Sequence, residues 1–178
     1  MRKVTQEIVS LVRYTPDSHS LKTALELCGG LGDLKTGDRV LIKPNLVISG
    51  PPTQKPRGIV TSAKLVRELV ALLKEHDCGE IAIGEGSIIV KEFGTSTESA
   101  MDWSGMNQIA SEFGINTVDF NRGPFKEFKV EGFKIRVAAA PLETDFLIDF
   151  PVLKTHTQTK VSLGTKNLKG CLSPGSKR

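Results

Sequence analysis

The chain has 178 residues, 39% hydrophobic and 25% charged, with a net charge of +4; that is enough for one domain burying roughly 70% of its unfolded surface without covalent staples. Three scattered cysteines exclude a local C-x-x-C metal or cluster motif, and no apolar run approaches the ~18 residues of a spanning helix. Aromatic residues at 6% and the lack of a dense Lys/Arg run make nucleic acid the least favoured partner, and a reduced, cytoplasmic protein without a membrane segment is expected.

Residues 4–13, VTQEIVSLVR, carry β-branched residues and read as a first strand. A helix is expected over 18–28, with Ser18 as its N-cap and the glycines at 29 and 30 as its stop. The stretch 38–45, DRVLIKPN, reads as a short apolar strand, and the Pro/Gly-rich loop that follows to residue 58 is long enough to suggest a functional or mobile segment. The clearest helix spans 61–76, where Leu65, Leu69, Leu72 and Leu73 share a face flanked by Val66 and Val70. A strand over 79–87 enters a glycine-rich turn, a helix covers 97–113 with Trp103 and Met106 spaced as core, and a strand follows over 115–121. Residues 125–138 alternate around Glu131-Gly132 and predict a β-hairpin. The last strong strand is 145–153.

Alternating strands and helices, with the near-continuous apolar runs VLI, IAI and FLIDF, predict an α/β fold. The expectation is a doubly wound, mostly parallel sheet with helices on both faces and an inserted β-hairpin. Residues 1–170 are expected as one domain and 171–178 as a flexible tail, the chain being either naturally short or a truncated piece.

In such a sheet, ligands bind outside the C-terminal ends of the strands. The residues found there are Lys43, Pro44 and Asn45; Gly84, Glu85, Gly86 and Ser87; Asn121 and Arg122; and Lys154, Thr155 and His156, followed by Lys166 and Asn167. Lys43, Lys154 and Lys166 supply point charges for an anion, Asn45 and Asn167 orienting amides, and Gly84 and Gly86 close backbone approach. His156 and Glu85 are the proton-transfer candidates. Two such groups fall short of a closed metal site, so no metal is assigned. GEGS is not a dinucleotide fingerprint, because Ile89 stands where the third glycine belongs. Asp149, inside an apolar strand, is either an exposed edge residue or a buried acid paired with a lysine. Cys28 and Cys78 read as core fillers, and Cys171 as a nucleophile or cluster ligand of low rank.

LIKPNLV (41–47), IGEGS (83–87), DFPVLKTH (149–156) and TKNLKG (165–170) together resemble the family called domain of unknown function 362. The resemblance implies motif positions Lys43, Asn45, Glu85, Lys154, His156, Lys166 and Asn167. Many members are described as iron–sulfur proteins because a cysteine-rich, ferredoxin-like segment accompanies the domain, so a cluster cofactor and a ferredoxin-like partner are what the resemblance implies. This chain lacks the clustered cysteines, and Val152 stands where relatives often carry lysine. The leading expectation is an enzyme that binds a small carboxylate or phosphate metabolite and moves a proton on it, of isomerase or racemase type, with Lys154 in the catalytic set and Ser87 and Thr155 among the binding residues. The rivals are an iron–sulfur-associated redox module and, last, a nucleic-acid binder.

Overall fold

The computed structural model describes residues 8–15, 19–51, 53–54 and 58–177. Four strands form a parallel sheet: β1 (Val40–Pro44), β2 (Ile81–Glu85), β3 (Asn116–Asp119) and β6 (Phe146–Phe150). Their order is β3-β2-β1-β6, with Val40 opposite both Ile81 and Phe146. The fold is therefore the expected α/β type. β1 and β2 are buried along their whole length, which is why they read as apolar runs and not as alternating strands.

The helices α1 (Ser20–Cys28), α2 (Ala63–Glu75), α3 (Thr97–Ser104) and α4 (Met106–Phe113) cover one face. Val66, Leu69, Val70 and Leu73 of α2 meet Val40, Ile42, Ile81 and Ile83 there, joined by Met101, Met106 and Ile109. The fully buried stripe of α2 is thus the 66-69-70-73 set, with Leu65 and Leu72 at its margins. The other face is covered by the base of the hairpin β4 (Phe125–Val130) and β5 (Phe133–Ala138), the short helix α5 (Ala140–Glu143) and Cys171, packed on Leu41, Ala82 and Phe120. This division follows from the strand order. The chain steps from β1 to β3 in one direction and then returns past β1 to β6, so crossovers of one hand must pass over opposite faces.

Several local expectations need correction. Residues 8–13 form no strand: Val9 and Leu11 are 88% and 98% exposed, and no strand ladder among the described residues includes them. Residues 4–7 and the expected cap Ser18 lie outside the described residues, and α1 begins at Ser20 after His19. The expected 97–113 helix is two helices, because Gly105 turns left-handed (φ 81°) and closes α3 through its N–H on the Asp102 and Met101 carbonyls. Trp103 lies beside the helix core and also holds the 46–58 loop, its Nε1–H donating to the Pro51 and Gln54 carbonyls. The hairpin forms as expected, with Val130 opposite Phe133 and positive φ at Glu131 and Gly132, the two-residue type I′ pattern. A second small hairpin, β7 (Lys154–His156) with β8 (Lys160–Ser162), and the short helix α6 (Gly164–Leu168) follow β6. The segment expected as a flexible tail is packed: Leu172 bridges Val137, the Ser173 N–H donates to the Arg136 carbonyl, and Cys171 and Ser173 are buried.

Arg39 and Asp145 fasten the starts of β1 and β6. Arg39 Nε donates to Asp145 Oδ2 (2.9 Å), Nη2 to Oδ1 (3.1 Å), and the Arg39 N–H also reaches Oδ2 (3.0 Å). These bonds from Arg39 hold the Asp145 carboxyl down at about 2. A carboxyl lowered in the folded state contributes stability above its ordinary pKa and loses it as pH falls through the folded value. Asp145→Asn is therefore expected to flatten the stability profile between pH 3.8 and about 2, read by thermal melts across that range at low salt. An acid limb equal to that of the unmodified chain would show that the clamp does not couple to folding.

Candidate functional site

The reversal of strand order lies between β1 and β6, the place where an open α/β sheet forms a crevice at its C-terminal edge. β1 and β2 each carry one charged residue near that edge, and the two meet. Lys43 Nζ donates to both Glu85 oxygens at 2.9 Å and to the Pro44 carbonyl at 3.0 Å. The same carboxylate accepts the Leu46 N–H (3.1 Å) and the Gly86 N–H (2.7 Å). Their side chains are 0% and 4% exposed. All three ammonium protons and four carboxylate acceptor positions are used, which is the condition for holding such charges away from water. Lys43 therefore has no donor left for a ligand, and Glu85 has no free lone pair for a substrate proton. Gly170 lies directly on this pair: a Cβ there would overlap Glu85 Oε1 and stand 2.8 Å from Lys43 Cε and Nζ.

The wall beside the pair is built from the loops after β1 and β6. The Asn45 N–H donates to Thr61 Oγ1 (2.8 Å), whose hydroxyl donates to the Phe150 carbonyl (2.7 Å), tying the two strand ends together. Lys154 Nζ donates to Asn45 Oδ1 (2.6 Å) and to the Ile59 carbonyl. Asn167 is buried, and its amide donates to Asp149 Oδ1 (2.6 Å) and the Pro44 carbonyl (3.3 Å). Asp149 thus pairs with an amide and not with a lysine. Burial pushes its carboxyl up, opposed by the Asn167 bond and by the charge of Lys43. The Lys154 ammonium is lowered from its ordinary 10.5 by burial and then by the nearby Lys166 charge, against a smaller pull from Glu85.

Two adjoining cavities open above these groups. One, of about 240 Å³, is lined by Lys154, Lys166, His156, Asn45 and Asn167 among others; the second, of about 270 Å³, shares Lys166, His156, Asn45 and Asn167 and adds Lys169 and Lys177. Lys177 Nζ donates to the Gly86 carbonyl (2.7 Å) and Asn121 Oδ1 (2.8 Å), and burial lowers its pKa. Lys166 has no hydrogen bond or ion pair among the described residues, and none of the four lysines is paired with a carboxylate there. His156 Nδ1 accepts the backbone N–H of Gln158 (3.1 Å) and Thr159 (3.2 Å), which leaves the neutral ring its proton on Nε2.

Of the residues expected at the site, His156, Lys166, Asn45 and Asn167 line both cavities and Lys154 lines the first. Gly86 lines the second, and its missing Cβ makes room for the Gly170 carbonyl and Lys177 Nζ. Gly84 serves packing, since a Cβ there would overlap the Phe120 ring. Ser87 is buried and donates to the Leu46 carbonyl (2.7 Å), and Thr155 is exposed on β7; neither lines the cavities. Arg122 turns outward to Glu98 and Asp119. Lys169 and Lys177 were absent from the sequence expectation. The first follows the TKN motif closely; the second is brought in by the folded C-terminal segment, which no local pattern announces.

The cysteines do not converge. Cys28 ends α1 and Cys78 follows α2, both on the helical face, whereas Cys171 packs under the opposite face. Burial pushes the Cys171 thiol up to about 11, which opposes a nucleophilic role. Among the described residues no group of three or more His, Cys, Asp or Glu side chains is placed to hold a metal ion, so the residues present do not fit an iron–sulfur cluster. No helix among them is long and apolar enough to cross a membrane.

A family model described as Domain of unknown function (DUF362) matches residues 40–178. The thylakoid-associated protein sll1697 of Synechocystis sp. is 32% identical over 157 residues, which are 88% of this chain and 46% of that protein. The chain thus spans about half the length of the curated relative it matches. No solved structure matches it.

Proposed function

The chain belongs to the domain of unknown function 362 family, and on that footing we propose that it binds a small carboxylate or phosphate metabolite in the crevice between β1 and β6 and transfers a proton on it. One observation carries this reading: Lys154, Lys166, Lys169 and Lys177 line two adjoining cavities with no carboxylate of the described residues paired to them. Clustered cations cost free energy through desolvation and mutual repulsion, and an entering anion removes that cost. Lys43 and Glu85 then form the neutral floor that shapes the pocket, and Asn45 and Asn167 fix its walls.

The proton-transfer step falls to Lys154 and His156. A lysine lowered by burial and a second ammonium has a larger neutral fraction than a solvated one. Its amine takes the proton from the carbon beside the bound carboxylate, breaking C–H and forming N–H. His156 Nε2–H donates to the oxygen on which charge develops. Return of the proton from the Lys154 ammonium to a neighbouring carbon gives isomerisation. Iron–sulfur chemistry would need ligands from a cysteine-rich segment or partner outside the described residues. The free cysteines support a reducing, cytoplasmic setting.

Calorimetric titration with inorganic phosphate and with acetate, at fixed ionic strength, tests the binding. Lys166→Ala is expected to weaken affinity about tenfold, the scale of one charge-assisted hydrogen bond, without changing the melting temperature. The ammonium form of Lys154 holds the anion and only its neutral fraction acts as base, so affinity should fall, and turnover of the bound ligand should rise, as pH rises through its lowered pKa. If Lys166→Ala binds these anions as well as the unmodified chain does, the site lies elsewhere.

A further inference from the structure

The crevice is not one chamber but two, and the lysines are divided between them. Lys154 lines only the first, Lys169 and Lys177 only the second, and Lys166 stands at the boundary with His156. The two volumes, about 240 and 270 Å³, are each below the ~300–1,000 Å³ of ordinary small-molecule sites, while the joined space falls inside that range. The single carboxylate lining either chamber, Glu85, is already neutralised by Lys43 beneath it. One anionic group placed between Lys154 and Lys166 would leave the cations of the second chamber uncompensated.

We infer that the ligand is a small organic molecule with two anionic groups at opposite ends, one held by Lys154 and Lys166 and the other by Lys169 and Lys177, its middle passing His156. A dicarboxylate and a phosphorylated carboxylic acid share this chemistry. The inference rests on the anion-binding reading above and adds the number and spacing of the charges. The apolar side chain of Val47, common to both chambers, faces the connecting carbon chain.

The test is a calorimetric series on the unmodified chain: malonate, succinate, glutarate and adipate, with 3-phosphoglycerate as the phosphorylated arm and acetate, butyrate and inorganic phosphate as singly headed controls. One dicarboxylate length is expected to bind at least tenfold more tightly than any control, with a decline on either side of it. Lys154→Met and Lys177→Met should each cost that dicarboxylate about tenfold, whereas any one control should respond to at most one of the two variants. Lys177 also bonds Gly86 and Asn121, so melting curves accompany both variants, and the chain-length series stands without them. Equal affinity for two-headed probes and controls would overturn the two-headed ligand while leaving an anion site in place. Failure of every probe, controls included, would overturn the anion site itself. Tighter binding of 3-phosphoglycerate than of every dicarboxylate would support the inference and assign the phosphorylated class.

Discussion

Lys43→Met is expected to destabilise the protein by about 3–5 kcal/mol, the cost of stranding a buried charge without its partner. The methionine fills a similar volume, so the loss is electrostatic and not a cavity effect. Glu85 would keep two backbone N–H donors but lose the ammonium bonded to both of its oxygens. The carboxylate would then sit buried with its desolvation no longer offset by an opposite charge. Lys43→Met with Glu85→Gln removes both charges and keeps an acceptor for the Leu46 and Gly86 N–H groups. That double variant should recover part of the loss. Urea unfolding of the three chains reads all of this; a Lys43→Met cost below ~1 kcal/mol would show that the pair contributes little.

Gly170→Ala should cost about 2–3 kcal/mol, near the upper end of ordinary overpacking. The added methyl would enter the space held by Glu85 Oε1 and Lys43 Nζ. Neither side chain has an empty direction to move, because both are buried and fully bonded. Gly170 also lines the second chamber, so phosphate affinity should fall with stability. Gly175→Ala is the matched control in the same segment: nothing lies within 4 Å of its Cβ position, and it should stay within ~0.5 kcal/mol of the unmodified chain. Equal unfolding midpoints for the two variants would mean that the backbone at Gly170 moves aside freely.

The parallel strands were legible because β1 and β2 are buried on both faces and carry unbroken apolar runs. The hairpin was legible because Glu131-Gly132 supplies the two positive φ angles that its turn requires. Residues 8–13 misled because β-branched residues signal strand without saying whether a partner exists. Gly105 went unread as a break because a glycine inside a helical pattern looks the same whether it is tolerated or turns left-handed. Lys154, His156 and Lys166 could be placed from their positions after strand ends. The engagement of Lys43 with Glu85 could not, since they are 42 residues apart and meet through the pairing of two strands. Lys177 was least accessible: its place depends on Leu172 reaching Val137 and Ser173 reaching Arg136, contacts that a string of Ser, Pro and Gly does not encode.

The strand order also sets a sequence of events. β1, β2 and β3 are joined by successive crossovers and can assemble from the first two-thirds of the chain, whereas β6 reaches β1 across a separation of 106 residues, the span of the Arg39–Asp145 contact. Closing so long a loop carries its entropy cost before any contact returns it, so the β1–β6 seam belongs to the late, slow part of folding. The crevice proposed to take the ligand is that seam. Intermediates lacking β6 would have no pocket, and capture of the ligand would mark the moment at which the polypeptide has finished folding.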